Sequence, residues 1–224
     1  MTNLFIPPPL QAFPMVSDWL SFKPYGGVLL LPGRVELGQG IATALIQIAA
    51  DELDVGMDTI KLIQGHSEIS PAEGPTVGSL SITFGGQSIR LATSAARSLM
   101  LETAAGLLQT TSNALTVQAG NILKDGLETG LSYASLSQSV DLVVSAMDYA
   151  RPKAAADRRM TGIAVPRVDL AARLRADYLL HDMVLEGMFH GRVVQSPSLT
   201  SIADEVPEPK NGATLVRDGQ FLSV

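Results

Sequence analysis

Within three residues, Gly38-Gln39-Gly40, the hydrophobic pattern of this chain changes period. Before them, Arg34-Val35-Glu36-Leu37 alternates polar and apolar as a half-buried strand does, and the apolar run of residues 28–31 precedes it across a Pro32-Gly33 turn. After them, Ile41, Ala44, Leu45, Ile48, Ala49 and Leu53 recur at three and four, the mark of an amphipathic helix ending near Asp54. A helix with one apolar face needs another layer to cover it. Strand, glycine turn and helix therefore commit the chain to an architecture that contains both element types.

Residues 60–64 read as a second strand, followed by a long loop over 65–81 that holds Pro71, Gly74, Pro75 and Gly78. Loops of that length usually carry a function. A second helix begins around Gly85-Gly86, where Ile89, Ala92, Ala96, Leu99, Ala104, Leu107 and Leu108 make the longest periodic segment. Residues 115–117, 122–123 and 127–128, joined through Gly120 and Asp125-Gly126, predict a β-meander, and 133–140 a short helix. The expected fold class is α+β, with helices over about 42–53 and 86–108 packed on a small mixed sheet and an incomplete β-rich domain after it. The expected domains are an extended arm over 1–26, rich in proline, an α+β domain over 27–148, and a linker over 149–165 where Arg151, Lys153, Arg158 and Arg159 sit among alanines. The start of a second domain, cut short, covers 166–224. Its last residues, Phe221-Leu222-Ser223-Val224, read as an apolar strand with no partner strand left in the sequence.

Composition narrows the function. With 46% apolar and 17% charged residues the chain is a folded protein, not a disordered one. A net charge of −6, from 16 Lys+Arg against 22 Asp+Glu, with no basic cluster, argues against nucleic acid as a partner. The absence of cysteine excludes disulfides, thiolate zinc sites and iron–sulfur ligation within this chain, so the electrons of any redox chemistry would leave through another subunit. No stretch approaches the about eighteen apolar residues of a membrane span, and the proline-rich start lacks the features of a signal peptide, so a cytoplasmic protein is expected. The mean hydropathy of +0.23 is high for an isolated soluble domain and points to surface meant to be covered by more protein.

Two glycine-bearing turns are the candidate sites. Gly38, Gln39 and Gly40 stand at a helix start, where unpaired N–H groups and the positive end of the helix dipole favour anions and phosphate. Spacing alone leaves open that the glycines merely serve a tight turn, and as a dinucleotide fingerprint the motif fails, since Thr43 stands where the third glycine belongs. Gly78, Ser79, Leu80 and Ser81 form a second such turn before the long helix, with capping and turn chemistry as the bland reading. Glu36 is a candidate acid or base, though a strand carboxylate facing solvent or a lysine is the commoner case. His66, His181 and His190 lack partners at metal-ligand spacing. No nucleophile elbow or P-loop lysine motif occurs, and spacing alone names no reaction.

Longer stretches say more. The run Gly33-Arg34-Val35-Glu36-Leu37-Gly38-Gln39-Gly40-Ile41 through Ala49-Ala50-Asp51-Glu52-Leu53 resembles the large, molybdopterin-binding subunit of the xanthine dehydrogenase and aldehyde oxidase family, in the branch of nicotinate dehydrogenase and isoquinoline 1-oxidoreductase. Ser70-Pro71-Ala72-Glu73-Gly74-Pro75-Thr76-Val77-Gly78-Ser79-Leu80-Ser81 resembles that family's second cofactor loop. Val165-Pro166-Arg167-Val168-Asp169-Leu170, His181-Asp182 and the segment from Gly187 through Val194 resemble the entry to its hammerhead domain. The resemblance implies a molybdopterin cofactor, in the cytosine dinucleotide form, with molybdenum. It also implies hydroxylation of an aldehyde or N-heterocycle with oxygen from water, and electron transfer to a separate small iron–sulfur subunit. It sets Gly38, Gln39 and Gly40, and Gly78, Ser79, Leu80 and Ser81, against the pterin and its phosphate, which is where the turns themselves suggest anion sites. Ala171-Ala172-Arg173-Leu174 replaces the family's Lys-Val-Thr-Gly-type turn, and no residue here matches the family's catalytic glutamate, so no catalytic or metal-binding residue is assigned. The expectation is part of a large subunit that needs the rest of that subunit for turnover. The alternatives are a non-catalytic structural or interaction module and a free-standing phosphate or nucleotide binder.

Overall fold

The computed structural model describes residues 4–175, 184–195, 197–198, 209–210 and 212–224. Two compact units are present, residues 1–174 and 175–224. The first is an α+β unit. Pro8–Ala12 form helix α1, Val16–Asp18 a 3-10 turn and Leu20–Phe22 strand β1. Here the sequence expectation of an extended arm is corrected. Prolines suit the first turn of a helix, and Leu10, Val16, Trp19 and Leu20 are apolar enough to draw the segment into the core, where all four are fully buried. The Trp19 indole N–H is satisfied by the Phe13 carbonyl at 2.9 Å.

Strand β2 (Val28–Leu30) pairs antiparallel with β1 and parallel with β3 (Ile60–Leu62). The parallel pairing needs a crossover, which is helix α2 (Ile41–Leu53) with the glycine turn at its head. Residues 34–37, expected as a strand, form none. Their backbone is spent on loop side chains instead: the Val35 N–H donates to Thr76 Oγ1, and the Arg34 carbonyl accepts from the Gln64 amide. Helix α3 (Gln87–Leu107) is entered through a π-turn, Ser81–Gly86, and packs on α2. Small residues, Ala49 and Ala50 on α2 and Ala92, Ala95 and Ala96 on α3, are buried and let large neighbours such as Leu45, Ile89 and Met100 fill the core.

The expected meander is present as β4 (Leu115–Gln118), β5 (Asn121–Lys124) and β6 (Leu127–Ser132), all antiparallel. Asp125 and Gly126, at φ +52° and +78°, make the two-residue turn whose twist suits a hairpin. Helix α4 (Tyr133–Leu136) is capped by Ser132, and α5 (Ala146–Tyr149) packs on α3. The expected linker over 149–165 is bound along α2, because Asp51 and Gln47 offer its backbone hydrogen bonds. Helix α6 (Leu170–Leu174) closes the first unit.

In the second unit β7 (Val216–Asp218) and β8 (Phe221–Ser223) form a hairpin. The terminal strand thus has the partner that sequence reasoning missed, because the partner precedes it. Val194 and Arg192 bond to the other edge of β8, through Leu222 and Val224. His181 and Asp182 lie outside the described residues. No helix among the described residues is long and apolar enough to cross a membrane.

Candidate cofactor loops

A buried ion pair links the segment leading into the first glycine turn to the loop leading into the second, between residues 39 apart in sequence. Arg34 and Glu73 have side chains 2% and 0% exposed, with Nε 3.2 Å from Oε2. Glu73 Oε1 also accepts from the Gly33 N–H at 2.8 Å, and Arg34 Nη1 donates to the Pro75 carbonyl at 2.6 Å. The pair packs closely on Gly85, where a side chain would force it to shift. A Cβ on Gly85 would lie 2.8 Å from Arg34 Cγ and 3.0 Å from Glu73 Oε2. Burial pushes the Glu73 carboxyl above its ordinary range, against the pull of the Gly33 N–H and the guanidinium. Neither residue stands out in the sequence; a charge inside each loop beside a Gly-Gly helix start is the signal that marks them.

The first turn is already occupied by the chain itself. Gly40 is the helix N-cap, at φ +82°, and Glu36 reaches across the turn. Its carboxylate accepts from the N–H groups of Gly38 and Gly40, each at 2.8 Å, and of Ala42 at 3.0 Å. Burial raises the Glu36 pKa, but the donors from Ala42, Gly40 and Gly38 outweigh it and leave it below the ordinary carboxylate range. The expectation that Glu36 faces solvent is therefore corrected: a helix start that favours anions has drawn in the nearest one. Gln39, though exposed, is likewise bonded back to its own loop, donating to the Val35 carbonyl at 3.0 Å and accepting from the Leu37 N–H at 2.5 Å.

The second turn is open. Gly78 and Ser79 are exposed and both left-handed, at φ +65° and +56°. The hydroxyls of Ser79 and Ser81 make no hydrogen bond to the described residues, and Leu80 caps the π-turn with no side-chain bond. A π-turn leaves one more N–H group without a helical partner than an α-turn does. An anionic, hydrogen-bond-hungry group such as a pterin phosphate thus fits the second turn directly. It fits the first through Gln39, whose two contacts are exchangeable, but not through the α2 amides while Glu36 holds them.

Arg167 reaches the first turn from the far side, donating to the Gly38 carbonyl at 2.8 Å and standing 3.5 Å from Glu36. Asp169 binds both Arg167 and Arg173, which hold its carboxyl well below the usual range. His66 lies in its expected loop, where its Nδ1 accepts from the Glu68 N–H, and His190 is exposed. No cluster of three potential metal ligands occurs among the described residues.

This arrangement, two glycine-bearing loops tied through Arg34 and Glu73, coincides with a match to the molybdopterin cofactor-binding domain over residues 7–168. The chain belongs to that family, as a molybdopterin-binding part of the molybdenum hydroxylases. It is 35% identical over 173 residues to a nicotinate dehydrogenase component of Pseudomonas putida, covering 77% of this chain and 14% of that protein. It is 30% identical over 186 residues to a protein of Gluconacetobacter polyoxogenes named membrane-bound aldehyde dehydrogenase (pyrroloquinoline-quinone), covering 80% of this chain and 24% of that one. The chain therefore spans a quarter or less of the length of these relatives. Among solved structures it is similar to quinoline 2-oxidoreductase from Pseudomonas putida 86, at 24% identity and a TM-score of 0.45, covering 54% of this chain and 15% of that one.

Proposed function

We propose that this chain supplies part of the pterin cradle in the large subunit of a cytoplasmic molybdenum hydroxylase that acts on an aldehyde or N-heterocycle. In this reading the hydroxyls of Ser79 and Ser81 and the backbone of Gly78 hold the phosphate end of a molybdopterin, in its cytosine dinucleotide form, and Leu80, whose N–H donates to the Val77 carbonyl, closes the turn behind them. Gly38, Gln39 and Gly40 form the facing wall. When bound, the molybdenum–pterin group supplies the two-electron redox chemistry that hydroxylation requires. The residues of this chain bind and orient it, and no proton transfer is assigned to them. The rest of the large subunit and a small iron–sulfur subunit complete the assembly and carry the electrons away.

One observation supports the reading: the Arg34–Glu73 pair ties together the segments that lead into the two turns, the second of which has free hydroxyls, inside the stretch that matches the family. Exposed Leu37, Val77 and Ile82, at 69%, 60% and 49%, add apolar surface on the same two turns and the π-turn, suited to contact with further protein. The self-capping of the first turn by Glu36 speaks against a free-standing nucleotide binder.

Protein purified natively, with whatever co-purifies, is the material for the test: molybdenum content and identification of the released pterin nucleotide. Stoichiometric molybdenum with the cytosine nucleotide is expected. A folded chain without molybdenum in the presence of its partners would overturn the proposal in favour of a non-catalytic module.

A further inference from the structure

Residues 151–169 run antiparallel along α2, from its C-terminal end back to its head. At the far end Asp51 accepts from the N–H groups of Arg159, Met160 and Thr161, at 2.8, 3.2 and 3.2 Å, and from the Thr161 hydroxyl. Midway the Gln47 amide donates to the carbonyls of Met160 and Ile163. At the head Thr43 Oγ1 accepts from the Val168 N–H at 3.0 Å, and Arg167 meets Gly38 and Glu36. Three pins over one helix face leave the intervening chain few conformations.

We infer that this strap is a positioning device for the Gly38-Gln39-Gly40 turn, with Arg167 as the residue that sets the turn and Asp51 as the remote anchor that sets Arg167. The guanidinium suits the task because it makes several contacts in one plane. It donates to the Gly38 carbonyl, faces the Glu36 carboxylate that caps the helix, and is itself held in a fork by Asp169 at 3.0 and 2.8 Å. It thereby holds the start of the turn and the carboxylate that caps it from outside, while Glu36 ties Gly38, Gly40 and Ala42 together from inside. Asp51 lies eleven residues beyond Gly40, roughly 16 Å along the helix, and touches nothing in the turn. The two ends are coupled through the strap. That the positioned turn serves a cofactor rests on the proposed function; the coupling does not.

Amide hydrogen exchange on the full 224-residue chain reads the coupling directly. Arg167→Met is expected to speed exchange at Gly38, Gly40 and Ala42 by about tenfold, and Asp51→Asn, from its distance, by about threefold, with the β4–β6 amides unchanged. Arg167→Lys should restore part of the protection, since it keeps the charge facing Glu36 but not the fork. The double variant should exchange no faster at the turn than Arg167→Met alone, because both act through one contact. Should Asp51→Asn not fold, Gln47→Ala cuts the strap at its midpoint and carries the same expectation. Faster exchange confined to residues 159–161 in Asp51→Asn, or additive effects in the double variant, would overturn the inference. Molybdenum content, measured separately, bears only on the proposed function.

Discussion

Removing the Glu73 carboxylate should be among the most damaging single changes in the first unit. Glu73→Ala strands the Arg34 guanidinium, whose side chain is 2% exposed, with only the Pro75 carbonyl among its named partners, and it leaves the Gly33 N–H without an acceptor. Breaking one side of a buried pair costs about 3–5 kcal/mol, against a typical total of about 5–15. For a chain of this size each kcal/mol lowers the melting temperature by about 2–4 °C, so a fall of roughly 6–20 °C is expected. The single tryptophan, Trp19, is fully buried in the same unit and reports the transition by fluorescence. Replacing both partners, Arg34→Met with Glu73→Leu, should recover most of the loss but not all of it. The apolar pair removes the stranded charge, and the Pro75 carbonyl keeps the Val77 N–H, while the Gly33 N–H still lacks a partner, at about 1–3 kcal/mol. A melting temperature for Glu73→Ala within roughly 2 °C of the parent, or a double variant worse than either single one, would refute the idea that this pair ties the two loops together.

Three other outcomes follow from the same geometry. Gly85→Ala forces a Cβ against Arg34 and Glu73 and should cost about 1–3 kcal/mol in urea unfolding, where a neutral result would show the π-turn able to shift. Ser79→Ala should change stability by no more than about 0.5 kcal/mol, since its hydroxyl has no partner among the described residues, yet lower pterin retention in the assembled enzyme; unchanged retention would remove Ser79 from the cradle. Burial raises the Asp51 pKa, but the Thr161 hydroxyl and the three backbone donors outweigh it and leave it lowered. Its stabilisation is therefore full above the ordinary carboxyl pKa and lost as pH falls through the folded value, so Asp51→Asn should flatten the acid limb of the stability profile; an identical limb would contradict that.

The helices were legible because their information is local. The recurrence of Ile41, Leu45 and Ile48, and of Ile89, Ala92 and Ala96, gave α2 and α3 almost to the residue, and Asp125-Gly126 gave the hairpin. Prolines misled at the N-terminus, where they read as extended chain and instead start a helix whose neighbours carry core residues. The glycine turns are legible as a change of period, but what fills the first of them is not, because strand alternation points Glu36 outward while its distance from the helix start draws it in. What stayed hidden was long-range. Arg34 and Glu73, and Asp51 and Thr161, are ordinary loop and surface residues until the fold sets them together.

Helix α2 ends in Asp51, Glu52 and Leu53 with Asp54 as its cap and has no basic residue in its last turn. Negative charge at that end opposes the helix dipole, so the segment is a poor helix by itself. The groups that neutralise or bind these carboxylates come from Arg90, 38 residues after Glu52, and from the strap, Lys153 at 101 residues after Glu52 and Thr161 at 110 after Asp51. During synthesis the C-terminal turns of α2 thus emerge long before their counterparts. The crossover that joins β2 to β3 lacks part of its charge partners until the strap has been made, and the glycine turn at its head lacks Arg167 until then.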